Sequence, residues 1–303
     1  MKKIKMLALT LVCTMLFATS AWAHELWLET DGQGEVGEEH TVDVFWGHFP
    51  KNIDPDSAYF DAIAEGQIWL LTPRGEKVDL EMEKLDDRYR VVFTPDMGGD
   101  YQVIFYHDRG VLDFRHGEPQ GIQNVATTAK AYVNVYGDED VEAWDQLSGL
   151  PFEVRVLTDV GHLHAGEEVE AQLMYSGEPL SQVDIIIISP EEQVTEATTD
   201  QEGKFSFTCT MDGPWLIKAG YFDHSIDKVD GEEVLGARFT TTALINSNSY
   251  ESQAIVADEQ VEASDTAEVV GDAKSDEGSS TYLYIIAAVL LVGAGVMFVK
   301  SKK

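Results

Sequence analysis

The stretch AWAHELWLE at residues 21–29 places a histidine directly after a small-x-small motif, Ala21-Trp22-Ala23. Cleavage after Ala23 leaves His24 with a free α-amine. An amine nitrogen and an imidazole nitrogen on one residue can close a six-membered chelate ring around a metal ion. Neutral imidazole suits nickel, copper and zinc, and carboxylates can complete such a site. Both donors must be deprotonated to bind, and an α-amine loses its proton near neutrality. A second candidate is GHLHAGEE (161–168). An extended backbone there points His162 and His164 the same way, with Glu167 and Glu168 close behind and Gly161 and Gly166 to close a loop. FWGHFP and FYHDRG offer His48 and His107, each at the end of an apolar run and before a turn, and DFRHGEP offers His116. The candidate metal ligands are therefore His24, His48, His107, His116, His162 and His164.

Catalytic signatures are missing. The chain has no nucleophile elbow, no HExxH and no phosphate loop. An N-terminal histidine with a second histidine also fits a copper brace for oxygen chemistry on polysaccharides, but the residue types point to a binding protein rather than an enzyme. Cys13 departs with the leader and is not preceded by a lipobox, and Cys209 is then alone, so no intramolecular disulfide can form. FSFTCTM places Cys209 in a strand, where a buried, inert thiol is expected.

The elements that must position these residues follow a clear order. Lys2, Lys3 and Lys5 precede an apolar run from Met6 to Ser20, so residues 1–23 form a signal peptide. Residues 24–245 read as short β-branched or aromatic strands. The first series is 25–29, 41–46, 67–71, 89–93, 101–106 and 130–136; the second is 152–157, 168–175, 183–189, 204–209, 215–222 and 237–245. Turn signals such as Pro73-Arg74-Gly75 and Asp200-Gln201-Glu202-Gly203 separate them. This spacing predicts an all-β fold of two tandem β-sandwich domains, Ig-like or transthyretin-like, at 24–150 and 151–245. Helical periodicity is confined to 55–65 and 138–147, the second forming the connection between the domains. In ELWLE, Leu26 and Leu28 share one strand face, opposite Glu25, Trp27 and Glu29. The leucines should enter the core and Trp27 should cover a neighbouring surface, pinning the terminus.

Residues 246–281, rich in Ser, Ala, Asp and Glu, read as an acidic disordered stalk. The uncharged run YLYIIAAVLLVGAGVMFV (282–299) is about 27 Å long as a helix, enough to span a bilayer. Lys300, Lys302 and Lys303 form a basic tail that stays in the cytoplasm. The expected topology is an exported chain with a single C-terminal transmembrane helix and its N-terminal domains outside, in the periplasm. The net charge of −33 excludes nucleic acid as a partner and suits attraction of cations.

AHELWLE after a signal peptide, followed by GEEHTVDVFWGHFP, resembles the opening of a family of periplasmic proteins of unknown function, some of which are accessory components of nickel or cobalt transporters. GEPLSQVDIIIISPEEQVTEATTDQEGKFSFT is similar to the second half of that family and to transthyretin-like and carboxypeptidase-regulatory-like sandwiches. The resemblance implies a metal-binding role in uptake of Ni2+ or Co2+, with Cu2+ or Zn2+ as further candidates, and a permease as partner. One membrane span cannot itself be a pore. The competing expectation is a cell-surface module that binds protein or glycan and has no metal role.

Overall fold

The computed structural model describes residues 24–138 and 141–248. The expected signal peptide (1–23), residues 249–281 of the expected stalk, the apolar run 282–299 and the basic tail 300–303 lie outside the described residues. Among the described residues no helix is long and apolar enough to cross a membrane.

The chain is all-β. Its first half contains β1 (Glu25–Thr30), β2 (Gln33–Glu35), β3 (His40–His48) and β4 (Asn52–Ile53). The helix α1 (Ala58–Ala62) and a 3-10 turn (Ile63–Glu65) follow. Next come β5 (Gln67–Leu71), β6 (Lys77–Asp79), β7 (Glu83–Lys84), β8 (Tyr89–Phe93), β9 (Gly99–Phe114) and β10 (Gly121–Tyr136). The second half contains β11 (Phe152–Val156), β12 (Glu168–Tyr175), β13 (Glu178–Pro179), β14 (Asp184–Ile188) and β15 (Val194–Thr198). It ends with β16 (Lys204–Thr208), β17 (Gly213–Asp223), β18 (Lys228–Val229), β19 (Glu232–Glu233) and β20 (Ala237–Ser247).

The strands build three layers. The middle layer is one sheet in the order β15-β14-β17-β20-β10-β9-β5-β6. On one side lies the sheet β1-β3-β8-β7, and on the other the sheet in which β11 and β16 pair with β12. Side chains alternate across a strand, so the middle layer feeds a core on each face. On β10, Ala129, Ala131, Val133 and Val135 join the core formed with Leu26, Leu28, Val42 and Val44. Ala126 and Tyr132 join the opposite core with Phe152, Val154 and Phe205.

Residues 24–150 and 151–245 were expected as tandem sandwiches, but one sheet runs across that boundary. β10 pairs in parallel with β20, from Asn124↔Ala237 to Ala131↔Leu244. β10 is thus buried on both faces, and Thr128, Lys130 and Asn134 find partners there. The Thr128 hydroxyl donates to the Phe152 carbonyl (2.8 Å), and the Lys130 ammonium pairs with the Glu153 carboxylate. Asn134 Nδ2 donates to Asp100 Oδ1 (2.8 Å). A buried polar group without such a bond would be costly.

Three expectations need correction. The described part of 138–147 is not helical. Its backbone is taken by the sheet beside it: Ala143 N donates to Asp100 Oδ2 (2.9 Å), and Gln102 Nε2 donates to the carbonyls of Trp144 and Gln146. The stalk does not begin at 246. β20 continues to Ser247, whose buried hydroxyl donates to the Met211 carbonyl (2.7 Å), and Asn246 Nδ2 donates to the Thr30 carbonyl. Trp27 does not cover a surface; it is fully buried among Phe45, Phe49, Ile188, Leu216 and Leu244, where the first sheet meets the second half.

Glu25, beside Trp27, is also buried. Its Oε1 accepts from Phe49 N (2.9 Å), and its Oε2 lies 2.6 Å from Lys218 Nζ on β17. Removing one member of a buried pair strands the other charge. Lys218→Ala should therefore destabilise the fold by about 3 kcal/mol, measured by urea unfolding. Lys51→Ala breaks an exposed pair with Glu192 and should cost less than about 1 kcal/mol. Equal effects would show that the Glu25 pair does not hold the first strand.

Candidate metal centre

β1 and β3 pair antiparallel with Glu25↔Gly47 and Leu26↔Trp46. One further step along that register brings His24 opposite His48. Their ring centroids are 4.4 Å apart, and the His24 ring also stacks on Trp46 at 5.6 Å. His48 Nδ1 is buried without a hydrogen-bond partner. His24 Nε2 lies 2.9 Å from Asp54 Oδ2, both side chains being a little over one-third exposed.

The hairpin after β3 sets Asp54. His48 pairs with Asn52 and Gly47 with Ile53. Gly47 has φ +151°, and a Cβ there would stand 2.1 Å from the Asn52 carbonyl oxygen, so only glycine lets the strand fold back this tightly. Asp54 N then donates to the Trp46 carbonyl (2.8 Å). Ser57 caps α1 through Tyr59 N and accepts from Trp46 Nε1 (3.1 Å), which fixes the indole beside His24.

An aromatic series leads away from this pair. Trp46 meets Tyr59 edge-on at 4.3 Å, and Tyr59 stacks on His107 at 5.8 Å, its hydroxyl 3.3 Å from His107 Nδ1. Tyr59 therefore stands between His107 and the His24–His48 pair. Burial raises the Tyr59 hydroxyl above its ordinary range. Burial and the neighbouring Arg109 hold His107 below its ordinary range, against opposing pulls from Glu65 and Asp108.

The other expected ligands stand apart. His116 follows β9 and meets Phe114 edge-on. His162 and His164 do not point the same way, because the chain turns at Gly161, whose N–H donates to Asp159 Oδ1. His162 Nδ1 pairs with Asp159 at the surface (2.9 Å), whereas His164 is buried, its Nδ1 3.0 Å from the Asn248 carbonyl. His40 is buried against Thr30 Oγ1 (2.6 Å). Cys209 is buried, and its thiol is pushed up to about 12 by burial, as an inert core residue should be. Among the described residues no group of three or more His, Cys, Asp or Glu side chains is placed to hold a metal ion. Of the expected ligands, His24 and His48 are the pair that comes together. Sequence reasoning missed Asp54, Trp46 and Tyr59. Asp54 opens the turn-and-cap string DPDS, but its role depends on the β3–β4 register, which that string does not encode.

The profile of a domain of unknown function, DUF4198, matches residues 21–223. The chain belongs to the DUF4198 family. No curated protein matches the DUF4198 chain. Among solved structures it is similar to a protein from Corynebacterium diphtheriae described as membrane anchored, at 10% identity and a TM-score of 0.25, covering 75% of this chain and 60% of that one. It is also similar to a two-domain fibronectin type-III segment of chicken tenascin, at 12% identity and a TM-score of 0.21, covering 73% and 97%. The DUF4198 chain thus spans 60% of the length of the first of these structures.

His40 and His107 are both held low, chiefly by burial. Each stays neutral in the fold while the unfolded chain takes up a proton below about pH 6.5. Their contribution is complete above that pH and is lost as the pH falls toward the folded-state values. Unfolding free energy should therefore drop between pH 7.5 and 5.5, and the slope should flatten in a His40→Asn, His107→Asn double variant. An unchanged slope in that variant would contradict the assignment.

Proposed function

We propose that this DUF4198 protein captures a divalent transition-metal ion outside the cytoplasm, as the membrane-anchored accessory of a nickel or cobalt uptake system. The observation that supports this most strongly is the 4.4 Å approach of the His24 and His48 rings, with His48 Nδ1 buried and unpartnered. Once the leader is removed, His24 adds its amine. Amine and Nδ1 close the chelate ring, which leaves Nε2 pointing outward. Asp54 stands 2.9 Å from that nitrogen. Its carboxylate accepts the Nε2–H and so keeps Nδ1 free of a proton. The donors are then one amine and two imidazoles, a set that suits Ni2+, Co2+, Cu2+ and Zn2+ better than Mg2+ or Ca2+. Coordination positions remain for outside ligands, as transfer to a permease requires. The strongly acidic chain would raise the local cation concentration.

Metal titration of the mature protein tests this reading. His24→Ala, His48→Ala and a one-residue N-terminal extension, which turns the amine into an amide, should each weaken binding by more than tenfold, about 1.4 kcal/mol. Asp54→Asn should weaken it less, by loss of tautomer control. A His162→Ala, His164→Ala pair should leave affinity unchanged. If the extended protein binds as tightly as the authentic mature form, His24 is not a chelating terminus. If no form binds metal, the surface-interaction reading takes its place.

A further inference from the structure

Arg109 lies beside the aromatic series that starts at His24. Its guanidinium stacks 4.3 Å over the Tyr59 ring, and Tyr59 touches Trp46, the indole against which His24 stacks. The backbone is shaped to put it there. β9 pairs Asp108 with Ala126 and Val111 with Asn124, so two residues, Arg109 and Gly110, oppose the single Val125. This is a β-bulge, completed by Gly110 at φ +66°. Such bulges re-aim side chains, and here Arg109 is turned over the end of the face that carries Phe105 and His107.

Carboxylates are abundant in this chain, with 54 Asp and Glu against 21 Lys and Arg. Most described cations have one as partner; Lys51, Lys77, Arg88, Arg155 and Lys204 are examples. Arg109 has none within ion-pair distance among the described residues, and the adjacent Asp108 carboxylate instead accepts from Gly110 N. A partly buried guanidinium held over a phenol ring, with no carboxylate partner among the described residues, has N–H groups for a planar anion, which it can bind through two parallel hydrogen bonds.

We propose that the His24–His48 site receives its metal as a complex with a small polycarboxylate chelator, whose free carboxylate is held by Arg109. The inference rests on the metal-binding reading above and deepens it. Three protein nitrogens leave room on the metal for a chelator's oxygens. A chain of net charge −33 attracts bare cations but repels anionic complexes, so an anionic chelate needs a local cation, and Arg109 supplies it.

The test compares Ni2+ alone with Ni2+ premixed with citrate on the mature full-length protein, with radiolabelled citrate to follow the chelator. Citrate should be retained only when Ni2+ is present. Arg109→Ala should weaken binding of the Ni2+–citrate complex by about tenfold or more, while changing affinity for Ni2+ alone by less than about twofold. Unchanged binding of Ni2+ alone also reports that the variant is folded. Arg109→Lys should recover only part of the loss, because it keeps the charge without the planar fork. If wild type binds Ni2+ but never retains citrate, or if Arg109→Ala weakens both forms equally, the chelate proposal fails and the metal site stands. If wild type does not bind Ni2+ alone, the metal reading itself fails and takes this inference with it.

Discussion

Burial of the Glu25 carboxylate is the constraint on which the rest of the arrangement depends. The group is held by Lys218 Nζ at 2.6 Å and by Phe49 N at 2.9 Å. One bond reaches into the second half of the chain and the other to the residue after His48. A terminus usually frays. Here the residue next to His24 is locked on two sides, and Trp27 is sunk into an apolar cluster drawn from both halves. The Thr242 hydroxyl adds a bond to the Leu26 carbonyl (2.7 Å). The proposed chelation by a terminal His24 requires that the next residues do not move, and these contacts hold them in place.

The shared middle sheet makes this possible. Because β20 pairs in parallel with β10, the second half lies beside the first strand and can supply Lys218, Leu216 and Leu244 to it. Two separately folded sandwiches on a linker would leave β1 with one face unsupported. The buried polar bonds on the other face of β10, above all Lys130 to Glu153, fasten the third sheet to the same layer. The bonds to Glu25 and those of β10 are thus parts of one framework whose outer end carries His24, His48 and Asp54.

Much of the fold was legible in the residues. Strands 67–71, 89–93 and 168–175 match their observed bounds, because period-two patterning bounded by turn residues is a local signal. The helix at 58–62 also falls within its expected span. What failed was non-local. The segment 138–147 has helical composition, but Asp100 and Gln102 on β9 take its backbone groups. Trp27 alternates with Leu26 and Leu28 as expected, but burial on its side follows from a sheet pairing between residues more than one hundred positions apart. The site shows the same division. His24 was identifiable from the cleavage motif and His48 from its place at a strand end. Their meeting depends on the Glu25↔Gly47 register, and the positions of Asp54 and Arg109 depend on a hairpin and a bulge that composition does not encode.

The central claim is that the mature terminus and His48 form one nitrogen donor set. Electron paramagnetic resonance of the mature protein loaded with one equivalent of Cu2+ as a spin probe addresses it directly. Hyperfine splitting from three equatorial nitrogens is expected, falling to two in His48→Ala and changing again when the terminal amine is blocked. An oxygen-dominated spectrum that is indifferent to both changes would contradict the claim.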